Sequence, residues 1–239
     1  MTDDRGVLLF IHEGATFKVA DGAQPPKAGS LLFCRHLHAR PGERVLEIGT
    51  GIGLAAVRAA RAGARVIATD VVEAAVRCAR ENAALNGVAD RIEVRLGDGF
   101  DPVRGLVFDL ICTSPPQMPT PPDRERSDPM AAADNGGRDG WGLLDRVIAD
   151  APAYLRPGGR LVFTLFGFLG VKAALGKLAD VGLEPAILGQ ETQAFPRIGY
   201  ERLEHIRALD VEGSLPRSRW PATVERYVVQ GTKAREDSR

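Results

Sequence analysis

RVLEIGTGIG, residues 44–53, is the stretch around which the rest of this chain is organised. The segment RVLEI is apolar enough for a buried strand, and GTGIG then turns into a helix that we predict to run to about residue 61. Glycine lets the chain turn sharply and lets a ligand approach the backbone, and the start of a helix suits a carboxylate or phosphate. A dinucleotide fingerprint would need its third glycine at position 54, which is Leu54, whereas this chain has Gly53. The turn therefore predicts a ligand site of another kind or, alternatively, only a tight strand–helix connection.

Strand-like and helix-like segments alternate on the C-terminal side of this turn. A hairpin, at 7–11 and 16–19, precedes it. The other predicted strands are 44–48, 65–69, 91–96, 107–113, 160–166, 184–189 and 224–230, and the other predicted helices are 30–37, 72–86, 142–155, 171–181 and 200–208. This alternation is typical of a mostly parallel sheet covered by helices on both faces, in which ligands bind beyond the carboxyl ends of the strands.

Acidic residues follow two of these strands. Asp70 ends the second strand, 19 residues after Gly51, where a carboxylate can accept the hydroxyls of a ribose. It could equally cap the next helix. Asp98, in the run Gly97–Phe100, ends the third strand and could accept from the exocyclic amine of an adenine, with Phe100 beside the ring. The alternative for this run is a plain Asp-Gly turn.

The bulk composition excludes several classes of protein. The chain has 239 residues, of which 44% are hydrophobic and 26% are charged, with 31 basic and 31 acidic side chains. A net charge of zero provides no general field for nucleic acid. The three cysteines are scattered, as expected for a reducing cytoplasm and not for a metal cluster. No apolar run approaches the roughly 18 residues of a membrane span, and the N-terminus lacks a signal-peptide pattern. We expect a cytoplasmic protein with no membrane partner.

The motifs in order resemble those of class I S-adenosylmethionine-dependent methyltransferases, over about residues 25–166. LEIGTGIG, Asp70, GDGF and FDLICTSPP carry the likeness. It is sharper to the branch with an N-P-P-Y type motif, which includes the release-factor glutamine methyltransferases and the small-domain methyltransferases. The resemblance implies an α/β fold: a Rossmann-like, seven-stranded, mostly parallel sheet with helices on both faces and an antiparallel last strand. It also implies a division into an N-terminal hairpin and helix covering the cofactor site (1–40), the methyltransferase domain (41–232) and a polar tail (233–239).

The cofactor implied is S-adenosyl-L-methionine, with S-adenosyl-L-homocysteine as product. By resemblance the glycines meet its methionine part, Asp70 its ribose and Asp98 its adenine, and Glu47 lies near its amino group. The residues implied to bind it are Pro26, Lys27, Glu47, Gly49, Thr50, Gly51, Gly53, Asp70, Val71, Asp98, Gly99 and Ser114.

The acceptor site departs from the branch. Two consecutive prolines cannot continue a strand ladder, so Ser114–Pro115–Pro116 must leave the sheet as a rigid turn. Ser114 stands where the branch has Asn, and Gln117 stands where it has an aromatic residue. Losing the aromatic removes a platform for base stacking, which together with the zero net charge disfavours nucleic acid. Glutamine methyltransferases of the branch also carry an additional N-terminal helical domain, whereas only about 25 residues precede the cofactor segment here.

These departures predict a small-molecule acceptor, methylated on nitrogen, oxygen or sulfur by in-line transfer. A protein methyltransferase of the glutamine type, a nucleic-acid N-methyltransferase and a non-catalytic cofactor-binding domain remain alternatives. We expect a monomer or homodimer. The residues predicted to act on the acceptor are Ser114, Pro115 and Gln117, and those predicted to bind it are Gln117, Met118, Arg197 and Tyr200. The long segment 117–140 would be a lid or substrate wall, or else a disordered insertion.

Overall fold

The computed structural model describes residues 8–19, 23–125 and 134–235. The strands are β1 Leu8–His12, β2 Ala15–Val19, β3 Arg44–Ile48, β4 Arg65–Asp70, β5 Ile92–Leu96, β6 Phe108–Thr113, β7 Leu155–Phe166, β8 Leu183–Ala194 and β9 Thr223–Lys233. The α-helices are α1 Ala28–His36, α2 Leu54–Arg61, α3 Glu73–Leu85, α4 Gly142–Tyr154, α5 Val171–Asp180, α6 Arg197–Tyr200 and α7 Leu203–Leu209. Residues 126–133 of the predicted loop, and most of the predicted polar tail, lie outside the described residues.

Seven strands form one sheet in the order β5-β4-β3-β6-β7-β9-β8. Strand β9 runs antiparallel to both of its neighbours, whereas the pairs among β3, β4, β5, β6 and β7 are parallel. The predicted Rossmann-like sheet with its antiparallel last strand is therefore confirmed. Because the carboxyl ends of the parallel strands share one edge, the ends of β3, β4, β5 and β6 lie side by side.

Three elements differ in extent from the sequence prediction. Strand β7 begins at Leu155, because Leu155 pairs with Phe108 of β6. The Pro-Gly-Gly segment that reads as a turn lies within the register shift before Arg160 pairs with Leu110. Strand β8 continues to Ala194, because β9 provides a partner along its whole length. The helix predicted at 200–208 is two short helices, α6 and α7. In each case a long-range partner overrides the local pattern.

The core has two layers, one on each face of the sheet. On one face α4, α5 and α7 bury residues such as Leu144, Leu178 and Ile206 against β6 and β7. On the other face α1, α2, α3 and the β1–β2 hairpin pack against β3 and β4. Fully buried side chains such as Leu46 and Phe163 fill the space between strands and helices. Each large aliphatic or aromatic side chain buried in this way contributes about 1.5–3 kcal/mol.

The hairpin is tied to α3 by two asparagine side chains. Asn82 is fully buried and accepts from the Lys18 backbone N–H at 2.8 Å, and its amide donates to the carbonyls of Lys18 and Ile52. Asn86 makes the equivalent pair of bonds with Thr16. The hairpin is thereby fixed over the start of α2, close to the edge of the sheet that carries the strand ends.

Among the described residues, no helix is long and apolar enough to cross a membrane. The described His, Cys, Asp and Glu side chains also form no group of three that could hold a metal ion.

Candidate active site

A cavity of about 550 Å³ lies at the carboxyl ends of the strands, within the size range of small-molecule sites. Most of the residues predicted from the sequence line it. They are Pro26, Lys27, Glu47, Gly49, Thr50, Gly51, Asp70, Val71, Asp98, Gly99, Ser114, Pro115, Gln117 and Met118. Gly53, Arg197 and Tyr200 are not part of its lining. The structure thus brings together residues from four strand ends and from the segment before α1.

The glycine turn forms an open cradle at the floor of the cavity. Gly49 and Gly51 have φ angles of 74° and 56°, which favour glycine, and a Cβ added at either would meet nothing within 4 Å. The open space lies where a ligand would approach the backbone. Gly53 has another role, because a Cβ there would lie 3.2 Å from the backbone of Ala79 on α3. Its lack of a side chain serves helix packing.

Asp70 joins the turn that follows β3 to the turn that follows β4. One carboxylate oxygen accepts from the backbone N–H of Gly51 at 2.9 Å, and the other accepts from the N–H of Val72 at 2.9 Å. Burial raises the pKa of Asp70, and these backbone hydrogen bonds oppose that rise. The carboxylate holds the turn before α3 but does not cap the helix, whose N-cap is Val72. It also lines the cavity, and its role towards a ribose stays a prediction.

Glu47 carries a buried carboxyl one residue before the end of strand β3, just ahead of the glycine turn. Its side chain is 5% exposed and accepts from the Thr50 hydroxyl at 2.7 Å. Burial raises the pKa of Glu47 to about 8, which outweighs the hydrogen bond from Thr50. In the absence of a nearby cation this carboxyl is therefore mostly protonated at neutral pH.

Asp98 makes a two-fold ion pair that the sequence analysis missed. Both of its oxygens accept from the guanidinium of Arg146 on α4, each at 2.7 Å. This hydrogen bonding lowers the pKa of Asp98. Arg146 also lines the cavity. Phe100, expected beside an adenine ring, instead packs in the core against Tyr154, with the ring centroids 4.3 Å apart.

The segment before α1 and the end of the long loop meet across the cavity. Lys27 Nζ lies 2.9 Å from a carboxylate oxygen of Asp134. The buried Arg202 holds the loop from the other side, donating to the Thr120 hydroxyl at 2.6 Å and to the Asp134 carbonyl at 3.1 Å. Part of the predicted lid, residues 134–140, is thus anchored beside the cavity.

Ser114 and Pro115 stand at the end of β6, on the acceptor side of the cavity. The Ser114 hydroxyl lies 3.1 Å from the Thr164 hydroxyl on β7, and either can be the donor. Within the described part of the chain, no donor pairs with the Pro115 carbonyl. The turn therefore presents oxygen atoms that can accept hydrogen bonds from an incoming N–H group.

Gln117 is held by the backbone of β7. Its side-chain nitrogen donates to the Thr164 carbonyl, and its side-chain oxygen accepts from the Phe166 N–H at 3.0 Å. The residue is only 2% exposed. Both ends of the amide are therefore bonded to the neighbouring strand, and Gln117 braces the turn against β7.

We expect Gln117→Leu to lower the free energy of unfolding by about 2–4 kcal/mol, because two interior backbone groups lose their side-chain partner. Urea unfolding measures this change. Gln190→Leu on exposed β8 is the matched control and should change stability by less than about 0.5 kcal/mol. Equal effects of the two substitutions would contradict the bracing role.

The remaining predicted substrate residues lie outside the cavity wall. Arg197 is exposed at the start of α6, and the Tyr200 hydroxyl donates to the Pro221 carbonyl at 2.8 Å. Their neighbours Pro196 and Ile198 line the cavity instead. Arg226 on β9, which was not predicted, also lines it. The alternation Val224, Arg226, Val228 could have indicated an arginine on an inward-facing strand position.

No histidine of the described residues lines the cavity. Cys34 does, but burial raises the pKa of its thiol to about 12, so it carries no thiolate near neutral pH. Among the described side chains at the cavity, carboxylates, hydroxyls, amides, a lysine and arginines are thus the polar groups.

The family model of the methyltransferase small domain matches residues 23–121. A protein of Methanocaldococcus jannaschii with the provisional name protein N5-glutamine methyltransferase is 34% identical over 202 residues, which cover 84% of this chain and 98% of the relative. The release factor glutamine methyltransferase of Cereibacter sphaeroides is 37% identical over 178 residues, or 71% of this chain. The chain covers 63% of the length of that longer enzyme.

A solved structure agrees with the architecture. The YcgJ protein of Bacillus subtilis aligns with a TM-score of 0.59 and 15% identity, over 87% of this chain and 99% of that one. At this level of identity the likeness concerns the fold alone.

The names of these relatives correct the prediction of a small-molecule acceptor and partner, which is wrong: both relatives are named for protein glutamine. A short segment before the cofactor site does not argue against a protein substrate, because this chain covers 98% of a relative so named. Gln117, which stands where the branch has its aromatic residue, is bonded to β7 through both ends of its amide.

Three findings agree: the sequence identity along nearly all of one relative, the matching domain model and the seven-stranded sheet. The chain therefore belongs to the class I S-adenosylmethionine-dependent methyltransferases, in the branch that includes the small-domain methyltransferases and the release-factor glutamine methyltransferases.

Proposed function

We propose that this enzyme methylates the side-chain amide nitrogen of a glutamine residue in another protein, with S-adenosyl-L-methionine as methyl donor. The observation that carries the proposal is the 34% identity over 98% of a relative named for that reaction. The second relative, named for release factors, supports the same acceptor chemistry.

The residues around the cavity fit the proposed cofactor. The open glycine cradle leaves room for a ligand against the backbone of residues 49–51. The Asp70 carboxylate keeps lone pairs for two ribose hydroxyls beyond its two backbone bonds. Glu47 and Asp98 add carboxyl groups on either side. When bound, S-adenosylmethionine supplies a methyl group on a positively charged sulfur.

The Ser114–Pro115 turn fits a primary amide. The two N–H groups of a glutamine side chain need two acceptors, and the Ser114 hydroxyl and the Pro115 carbonyl are both available on the acceptor side. Two such bonds fix the amide plane and direct the nitrogen into the cavity. Because the donor carries the reactivity, this orientation is the main task of the protein. Thr164 and Gln117 hold the turn in place from β7.

Isotope-labelled methyl transfer tests the proposal. The purified enzyme is incubated with methyl-labelled S-adenosylmethionine and a soluble protein extract from which endogenous methylation has been removed by genetic deletion of this enzyme. Tandem mass spectrometry then locates the label, and we expect it on a glutamine side-chain nitrogen. Label found only on nucleic acid or on another type of side chain would overturn the proposed acceptor.

We expect Ser114→Ala to lower kcat about 10- to 100-fold, because one of the two acceptors that orient the amide is lost. Affinity for S-adenosylhomocysteine should stay within about threefold, since the main cofactor contacts come from β3, β4 and β5. Ser114→Asn, which restores the residue of the branch, should retain more activity than Ser114→Ala. Ser218→Ala at an exposed site is the control. The assignment fails if Ser114→Ala methylates at the wild-type rate.

A further inference from the structure

Arg226 is a cation in the cavity wall that forms no ion pair with any acidic side chain among the described residues. Its guanidinium lies over the ring of Phe166, 3.5 Å from the ring centroid, and its buried Nε has no hydrogen-bond partner. Burial lowers the pKa of Arg226 to about 9, which leaves it charged at neutral pH. Partial burial of an arginine without a counter-charge costs free energy, and the contact with the Phe166 ring offsets only a part of that desolvation cost.

The acidic groups around Arg226 have other partners. Glu191, which lies opposite Arg226 in the β8–β9 register, is paired with Arg35 at 2.8 Å. Glu225 accepts from Gln190 and Thr192, and Glu47 accepts from Thr50. Asp134 is paired with Lys27. Within the described ranges no carboxylate contacts the Arg226 guanidinium, which leaves this cation available to an anionic ligand.

Helix α1 leaves space for this guanidinium at Gly29. A Cβ added to Gly29 would clash with Nη1 of Arg226 and lie 2.7 Å from its central guanidinium carbon, so any side chain there would force the guanidinium to move. Glycine inside a helix costs about 1 kcal/mol relative to alanine, and here the packing of the guanidinium provides the reason for it. Gly29, like Arg226, lines the cavity.

The position of β9 in the sheet places this cation on the acceptor half. Most of the predicted cofactor contacts lie at the ends of β3, β4 and β5, although Pro26 and Lys27 lie just before α1 and Ser114 lies at the end of β6. Strands β6 and β7 separate β3 from β9. With strands about 4.8 Å apart, β9 is about 10 Å from the strand that carries Ser114 and about 14 Å from β3. Gln193 and Ala194 of β8 continue the same wall.

We propose that Arg226, seated against Gly29, binds a carboxylate of the acceptor protein, so that the enzyme selects a glutamine with an Asp or Glu side chain one or two residues away. This inference rests on the proposed function and names a feature of its substrate. In an extended peptide, side chains two residues apart project from the same face and lie about 7 Å apart. With the glutamine at the Ser114 turn, such a neighbour reaches towards β9, where the long Arg226 side chain can meet it.

Matched peptides test the inference without a known substrate. Each synthetic peptide carries one central glutamine as its only glutamine, with either glutamate or serine at the two positions on each side. Affinity is measured by calorimetry with the full chain saturated with S-adenosylhomocysteine. We expect the glutamate peptides to bind at least about tenfold more tightly, as a charge-assisted bidentate contact predicts. Arg226→Gln should abolish this preference, and Arg226→Lys should retain part of it.

The controls separate binding from folding. Arg219→Gln, at an exposed arginine, should keep the preference, while Gly29→Ala should weaken it by displacing the guanidinium. Arg226→Gln should melt at the wild-type temperature or above, because it removes an uncompensated charge. Equal affinity of the wild type for both peptide sets, or a preference that survives Arg226→Gln, would overturn the inference.

One further comparison distinguishes the two carboxylates that could reach Arg226. If Arg226→Gln weakens S-adenosylhomocysteine but not methylthioadenosine, which lacks the amino-acid end, the carboxylate is that of the cofactor and the inference is wrong. Methyl transfer to the same peptides is read separately by mass spectrometry. Label on no glutamine counts against the proposed function, while the peptide affinities still report on Arg226.

Discussion

We expect Asp70→Ala to lower the affinity for S-adenosylhomocysteine at least about 100-fold. The wild-type carboxylate can accept from two ribose hydroxyls, and hydrogen bonds to a charged acceptor contribute about 1.5–3 kcal/mol each. The substitution also deprives the Gly51 and Val72 N–H groups of their acceptor, which loosens the turns on both sides of β4. Isothermal calorimetry with S-adenosylhomocysteine measures the loss directly.

The control for Asp70→Ala is Asp90→Ala, which removes an exposed carboxylate after α3 and should leave the affinity unchanged. Thermal unfolding of both variants shows whether the affinity loss occurs in a folded protein. Asp70→Asn should fall between the wild type and alanine, since an amide keeps one acceptor oxygen. Wild-type affinity in folded Asp70→Ala would refute the assignment of this strand end to the cofactor.

The second large effect is expected at Glu47. Burial raises the pKa of this carboxyl to about 8, and if the ammonium group of the cofactor binds beside it, as the resemblance implies, the ionised form is favoured. Below pH 8, cofactor binding should therefore release a proton, and the affinity of the wild type should rise with pH and level off above about 8. Glu47→Gln should bind S-adenosylhomocysteine about tenfold or more weakly at pH 8, without proton release and without this pH dependence. Calorimetry in buffers of different ionisation enthalpy measures the released proton.

The Glu47 carboxyl should make the stability of the cofactor-free protein fall as pH rises, whereas cofactor affinity should rise with pH. Its pKa in the folded state, about 8, lies above its ordinary value of 4.5, so the folded protein holds a proton that the unfolded chain loses between these pH values. Stability should therefore fall as pH rises from 4.5 to 8, by at most about 1.4 kcal/mol per unit. In the absence of cofactor, Glu47→Gln should remove this component and melt a few degrees above the wild type at pH 8. A wild type and variant whose melting temperatures follow parallel pH curves would contradict the raised pKa.

The fold followed from local patterns to a large extent. Alternating strand and helix segments predicted the parallel sheet, and the strand boundaries at Arg44–Ile48 and Phe108–Thr113 were predicted within one residue. The glycines at 49, 51 and 53 predicted a sharp turn, and all three have positive φ angles, which few other residue types adopt. Cavity residues at strand ends were identified because parallel strands bring their carboxyl ends to one edge.

The acceptor side was predicted less well. Gln117 was expected to face a substrate, but its amide bonds to β7, which lies nearly fifty positions further along the chain. The chemical identity of the side chain was clear from the sequence, whereas its partner depended on which strand lay beside the turn. The small-molecule prediction came from the departures at Ser114 and Gln117 and from the short N-terminal segment, and the relatives corrected it.

Local sequence thus established which strands exist, where the chain turns and which acidic groups stand at strand ends, because these features depend on residues a few positions apart. Local sequence did not determine which distant residues the strand order and helix packing bring together. Insertion of β9 between β7 and β8 brings Arg226 onto Phe166 and Gly29, and the packing of α4 brings Arg146 onto Asp98. Such pairings join residues from 48 to almost 200 positions apart, and they arise from the shared burial of whole faces, for which no local periodicity provides a signal.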